Sequence, residues 1–342
     1  MKKRYFTITL VLLLIFVLVF AKQISTHLKI LLFISEEFPQ VPIKPLGLLT
    51  AKPEHKKVEF ETSNGKVVTD LYMPDQDKAA ALIVAMGIKT QEKDKPLILK
   101  FMNTMTRLGY VTFWPRLEAL DQGESLPEDP QTFVKAFDYL AELPVADKSR
   151  ISYMGFSVGS STAFVAASDP NIRDKVHGLI FFGGQFDIFD YFLSLASKSY
   201  EVDGQRISWN VADDARNHAK GLLLTKQAEG LVKIFDQETL VEMKMIIEQV
   251  SKEEKEKLAK YNPQEFINQF RARAFILHDK SDTYVPYVES IKLYQALPKE
   301  QIGAFVITDL FDHVQPNRPI SAQNLVEIFK LYGFLYKVLI FL

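Results

Sequence analysis

Gly155-Phe156-Ser157-Val158-Gly159 sets a serine between two glycines, each two positions away. An apolar stretch, Ile151 to Met154, precedes it, and the small residues Ser160-Ser161-Thr162-Ala163 follow. A strand that reverses sharply into a helix needs this spacing, because a side chain at either glycine would strike the turn. Such a turn holds the hydroxyl out at the strand's end, where it can attack a carbonyl carbon. The hydroxyl needs a base, and an imidazole base needs a carboxylate to fix its tautomer. Of the 6 histidines, His27 and His55 precede the expected domain, His177 begins a strand and His218 lies in an insertion. His313, in Phe311-Asp312-His313-Val314, lies just past the apolar stretch Ala304 to Thr308, and its place late in the chain order makes it the candidate base. For the acid, Leu277-His278-Asp279-Lys280-Ser281-Asp282-Thr283-Tyr284-Val285-Pro286 directly follows another apolar stretch. Asp282 is the first choice there. Asp279, nearer the strand end, and Asp187, after the preceding strand, compete with it.

These residues need a frame that brings distant loops to one edge. Ala79 to Met86 is continuously apolar, as expected of a strand buried on both faces. Leu97, Phe101, Met105 and Leu108 follow at helical spacing, closed by Gly109. Tyr110 to Trp114 reads as a strand, Phe133 to Leu143 as a helix, and Arg150 to Met154 as a strand. A helix from Ser157 to Ala167 and a strand from Val176 to Phe182 follow. After a break, a strand at Ala272 to Leu277, a helix near Val288 to Leu297, a strand at Ala304 to Thr308 and a closing helix from Ser321 resume the pattern. Alternation of this kind predicts an α/β fold, a mostly parallel sheet with helices on both faces. Ahead of it, two alternating runs flank Asn64-Gly65, which predicts a hairpin.

Residues 186 to 268 show no clear strand. They hold helical stretches such as Leu231 to Ile247, and Ser251-Lys252-Glu253-Glu254-Lys255-Glu256-Lys257 reads as a solvated helix face laced with i,i+4 pairs. Phe186, Phe189, Tyr191 and Phe192 suit a substrate pocket and core packing equally well.

The N-terminus reads as an address. Met1-Lys2-Lys3-Arg4 precedes Tyr5 to Ala21, seventeen residues without a charge. As a helix that run reaches about 26 Å, against a hydrocarbon core of roughly 30 Å. Three readings stand: a retained single-pass anchor, a signal cleaved after Ala21, and a buried core helix. In the first, the basic start stays inside and the rest of the chain faces the extracytoplasmic side. His27 to Ile34 is a second apolar patch, suited to a membrane surface or to packing on the main domain. Four prolines between 39 and 53 read as an extended linker.

With 41 basic and 42 acidic residues the net charge is −1, without the basic surplus expected of a nucleic-acid binder. With no cysteine there is no disulfide, thiolate metal site or cysteine nucleophile. No zinc or nucleotide motif appears, so neither metal nor cofactor is expected.

The order Ser157…Asp282…His313, with the acid after the penultimate strand and the base after the last, resembles the α/β-hydrolase family. His278 to Pro286 is similar to that family's acid loop, which favours Asp282 over Asp279. The hairpin ahead of the first buried strand, and Asp147-Lys148-Ser149-Arg150-Ile151 before the serine, resemble its dienelactone-hydrolase and prolyl-oligopeptidase branch. Dienelactone hydrolases use cysteine where this chain has Ser157. The family often has His-Gly after its first buried strand; here Met86-Gly87 stands in that place. The resemblance implies an oxyanion hole of the Ile88 and Val158 backbone N–H groups. It also implies a helical cap at residues 185–270, inserted between core segments 57–184 and 271–342. Residues 1–22 are then the anchor or signal and 23–56 a linker. The implied function is a membrane-tethered serine hydrolase acting on small carboxylic esters or thioesters through an acyl-enzyme. A prolyl-oligopeptidase-like peptidase and a non-catalytic binding protein of the same fold are the alternatives.

Overall fold

The computed structural model describes residues 19–62, 65–87, 95–117, 129–225, 228–316 and 324–342. Eight strands form one sheet: β1 (Glu54–Thr62), β2 (Gly65–Met73), β3 (Ala79–Ala85), β4 (Val111–Pro115), β5 (Ala146–Phe156), β6 (Gly178–Phe182), β9 (Arg273–Asp279) and β10 (Ile302–Thr308). Their spatial order is β1-β2-β4-β3-β5-β6-β9-β10. β1 and β2 form an antiparallel pair, with Glu54 opposite Met73 and Thr62 opposite Gly65, and β2 joins β4 antiparallel. From β4 to β10 every pairing is parallel. The expected Asn64-Gly65 turn falls partly outside the described residues.

Burial explains why the central strands read as unbroken apolar runs. All of β3 and β6 is buried. Ala81 and Ile83 of β3, Leu179 and Phe181 of β6, and Ala274 and Ile276 of β9 face one apolar cluster. Their neighbours Leu82, Ile180, Phe182, Phe275 and Leu277 face another. Both faces are covered, so strand alternation has no polar side to show. The first cluster packs against α3 (Asp129–Ala141), α4 (Val158–Ala167) and the end of α9 (Val288–Ala296). The second is closed by α1 (Ala21–Glu37), α2 (Lys95–Arg107) and α10 (Leu325–Phe341).

The segment read as a linker therefore begins with a helix. α1 buries Ile30 and Leu32, and His27 stacks on Tyr332 and Tyr336 of α10. Of the two readings of His27 to Ile34, these contacts favour packing on the main domain. Among the described residues no helix is long and apolar enough to cross a membrane. The run from Tyr5 lies outside the described residues except at its end.

Between β6 and β9 lie α5 (Ile188–Ser197), α6 (Asp213–Thr225), α7 (Leu240–Gln249) and α8 (Lys252–Ala259). The absence of strands expected here needs correcting: β7 (Ser199–Val202) and β8 (Gln205–Ser208) form a two-stranded hairpin. Asp203-Gly204 turns it with φ of 50° and 76°, the left-handed pair that such a turn demands. Leu231 to Ile247 is also not one helix. It breaks at Gln237, and Thr239 with Glu242 forms a capping box that starts α7 afresh. The charge-dense run does form a solvated helix, with Lys257–Glu253 at 2.8 Å and Lys252–Glu256 at 3.6 Å.

This insertion has its own apolar core, in which Phe192, Leu195, Leu223, Leu231, Ile234 and Leu258 are fully buried. Phe186 belongs instead to the sheet's core. Phe192 is thus a packing residue, and Phe192→Ala should cost about 3–5 kcal/mol by the lost transfer energy and the cavity left. Chemical denaturation of the two proteins checks this; an unchanged midpoint would show the ring to be dispensable to packing.

Candidate functional site

Because the strands are parallel, the loops after β3, β5, β6, β9 and β10 emerge at one edge of the sheet. Ser157 sits between β5 and α4 with φ 55° and ψ −137°, a conformation that non-glycine residues rarely hold. The turn is built around that strain. Its N–H donates to Phe182 O at 2.8 Å, tying the serine to the end of β6. A Cβ at Gly155 would lie 2.3 Å from Ser160 Cα, and one at Gly159 would lie 2.3 Å from Ala85 O, so both positions require glycine. Gly87 closes the third side: a Cβ there would stand 2.8 Å from Ser157 Cβ and 3.1 Å from Oγ. Ser157 Oγ has no hydrogen-bond partner among the described residues.

Asp282 and His313 meet. His313 Nδ1 lies 2.6 Å from Asp282 Oδ2. Asp282 is almost wholly buried, and its other oxygen accepts from the N–H groups of Tyr284 (2.8 Å) and Val285 (3.0 Å). Burial works to raise this carboxyl's pKa. The attraction of His313 and the hydrogen bonds from His278 and His313 outweigh it, and Asp282 is held well below the usual carboxylate range. The stability this brings is therefore present above the unfolded carboxylate's pKa and is lost only as pH falls into strong acid. An ionised carboxylate only accepts, so His313 Nδ1 is the donor in this bond, and in the neutral imidazole that tautomer makes Nε2 the acceptor. The pair lies at the same end of the sheet, next to the chain that follows Phe182: a Cβ at Gly183 would lie 3.6 Å from Asp282 Oδ2 and 3.8 Å from His313 Cε1, while no hydrogen bond joins Ser157 Oγ to His313.

The other two carboxylates serve structure. Asp279 accepts from Phe311 N–H at 2.8 Å and from Ser281 N–H at 2.9 Å, so it pins the loop that carries His313. Asp187 caps α5, accepting from Phe189 N–H at 3.0 Å and Asp190 N–H at 3.4 Å. Burial first, then the charges of Asp190 and Glu289, push its pKa up to about 6. A raised pKa means the carboxyl favours the fold in acid, and that gain is lost as pH rises from the unfolded carboxylate range through about 6. Asn caps as well as Asp without the charge. Asp187→Asn should therefore match or exceed the parent's melting temperature at pH 8 and flatten its dependence between pH 4 and 6. A severe loss of activity with unchanged stability would instead make Asp187 the functional acid.

The contacts that support the pair were not read from the sequence. His278, fully buried, lies with Nε2 3.0 Å from Val285 O and 3.3 Å from Asp282 Oδ2, while Ser290 Oγ meets its Nδ1 at 2.7 Å. Trp209 Nε1 donates to Asp282 O at 2.7 Å, and Ala212 N–H to Thr283 O at 2.9 Å, so the insertion grips the acid loop. The Tyr284 ring lies 5.0 Å from that of His313. The position of His278 four residues before Asp282 was visible, but a lone tryptophan in an insertion carries no pattern.

Val158 is the first residue of α4, so its N–H is among those with no acceptor inside the helix. Ile88 lies outside the described residues. Among the described residues, no group of three His, Asp or Glu side chains is arranged to hold a metal ion.

The family model described as BD-FAE matches residues 69–297, more than half of the chain. No curated protein matches the sequence. Among solved structures, the uncomplexed acylaminoacyl peptidase of Pyrococcus horikoshii superposes with a TM-score of 0.55 at 16% identity, over 85% of this chain and 42% of that one. A 2,6-dihydroxy-pseudo-oxynicotine hydrolase gives 0.51 at 18% identity, over 84% of this chain and 68% of that one. A puromycin hydrolase gives 0.51 at 14% identity, over 84% and 38%. At these identities the likeness is one of fold, the α/β-hydrolase fold, and the chain spans about two fifths of the length of the Pyrococcus peptidase.

Proposed function

The chain belongs to the BD-FAE family, and from that premise and the geometry above we propose that it is a serine hydrolase of carboxylic esters, tethered to a membrane by its N-terminal segment. The observation that carries the reading is the short His313–Asp282 hydrogen bond at the sheet edge where the strained Ser157 turn presents an unpartnered hydroxyl. Ser157 Oγ attacks the ester carbonyl and its proton passes to His313 Nε2. Asp282 fixes the tautomer and stabilises the imidazolium that forms. The oxyanion takes hydrogen bonds from the N–H groups of Val158 and Ile88, where the α4 dipole adds to their effect. Collapse of the tetrahedral intermediate expels the alcohol, which takes the proton from His313, and leaves the acyl group on Ser157. Water, deprotonated by His313, then releases the acid. The insertion of residues 185–270 serves as the cap, since it already holds the acid loop through Trp209.

The tether is supported by Met1-Lys2-Lys3-Arg4 and the uncharged run to Ala21; on this reading the basic start stays inside and the enzyme domain faces the extracytoplasmic side. Full-length protein should stay with membranes through a high-salt wash. Turnover is tested by rates on p-nitrophenyl esters of increasing acyl length beside aminoacyl p-nitroanilides. Ester turnover with little anilide turnover supports the reading; the reverse preference would make the protein a peptidase.

A further inference from the structure

We propose that the face formed by α1 and α10 lies flat on a lipid bilayer, an inference that rests on the membrane tether proposed above. The two helices are neighbours on one face of the sheet, joined by the His27 stack. Their inner sides are buried, yet their outer sides stay apolar. Phe20, Ile24, Leu28 and Leu31 recur at helical spacing along one stripe, and Leu28 and Leu31 are 53% and 58% exposed. Leu325 and Phe329 do the same on α10, where Phe329 is 67% exposed. Of the eighteen large apolar side chains exposed among the described residues, five lie between Val19 and Leu31 and three on α10, so this face holds eight of them.

Continuity of the chain favours lipid as the occupant. The uncharged run from Tyr5 leads directly into α1, so a tethered chain leaves the bilayer at the start of this stripe. The charges of the two helices, four lysines and three glutamates, nearly cancel, so the contact is apolar and does not depend on anionic lipid. The orientation also bears on the site. Asp309 N–H donates to Glu327 Oε2 at 3.2 Å, and Phe38 lies 6.4 Å from Phe311, so the start of α10 and the end of α1 flank the loop carrying His313. A domain docked on this face holds its reactive edge beside the lipid surface, where an ester with a lipid-dissolved acyl chain is within reach.

The chain contains no cysteine, so single-cysteine variants carry one label each. Leu28→Cys, Phe329→Cys and, on α3 at the opposite face of the sheet, Lys135→Cys would be labelled with an environment-sensitive fluorophore and the full chains reconstituted into phosphatidylcholine vesicles. Labels at 28 and 329 should shift to shorter wavelength and lose intensity to a doxyl quencher on the lipid chains; the label at 135 should do neither. If the chain floats with the vesicles while 28 and 329 report water, docking is wrong and the tether stands. If the chain does not float with them, the tether fails and docking with it. Shielding that grows with protein concentration and ignores the lipid quencher would assign the face to a second copy of the chain and overturn the proposal.

Discussion

Ser157→Ala should remove ester turnover, with a fall in kcat on the order of 10⁶ by analogy with other serine hydrolases. Without Oγ no acyl-enzyme forms, and the remaining N–H donors can only polarise a bound carbonyl. Stability should hardly change. The hydroxyl makes no hydrogen bond that would be lost, and alanine bears the same backbone strain at φ 55°. Ser157→Gly should be equally inactive but more stable by about 1 kcal/mol, since glycine adopts positive φ freely. Parallel kinetics and thermal melts check both. Retained turnover in either variant would end the serine-hydrolase reading.

Asp282→Asn should lower kcat on the order of 10⁴ by the tautomer argument. The amide can still accept from the Tyr284 and Val285 N–H groups. Its NH2, however, would face His313 Nδ1 and force the proton onto Nε2, the nitrogen that must accept from Ser157. His278 Nε2 would also lose a charged acceptor at 3.3 Å. The loss should not add to that of His313→Ala, because serine, base and acid act as one unit. Rates for the two single variants and the double variant decide this; a neutral Asp282→Asn would remove the acid from the account.

The architecture was legible because its signals are local. Runs such as Ala79 to Met86 show full burial directly, and Asn-Gly or a capping glycine marks where elements end. The turn at Ser157 was legible for the same reason: the clashes that a Cβ would meet at Gly155 and Gly159 are what the motif's spacing encodes. The meeting of Asp282 with His313 was reached only through chain order, since residues 31 apart leave no mark on each other's surroundings in sequence. What could not be read were contacts that cross elements. Trp209 reaches Asp282 from the insertion, and Asp279 holds Phe311 across two strands. The β7–β8 hairpin is a different failure, for Asp203-Gly204 carried the signal and the helical context around it masked it.

The most direct test of the central claim is where a fluorophosphonate probe attaches to the unmodified protein, read by mass spectrometry of its peptides. One adduct is expected, on the peptide bearing Ser157, formed fast in the parent and slowed by orders of magnitude in His313→Ala. No adduct, or an adduct on a different serine, would contradict it.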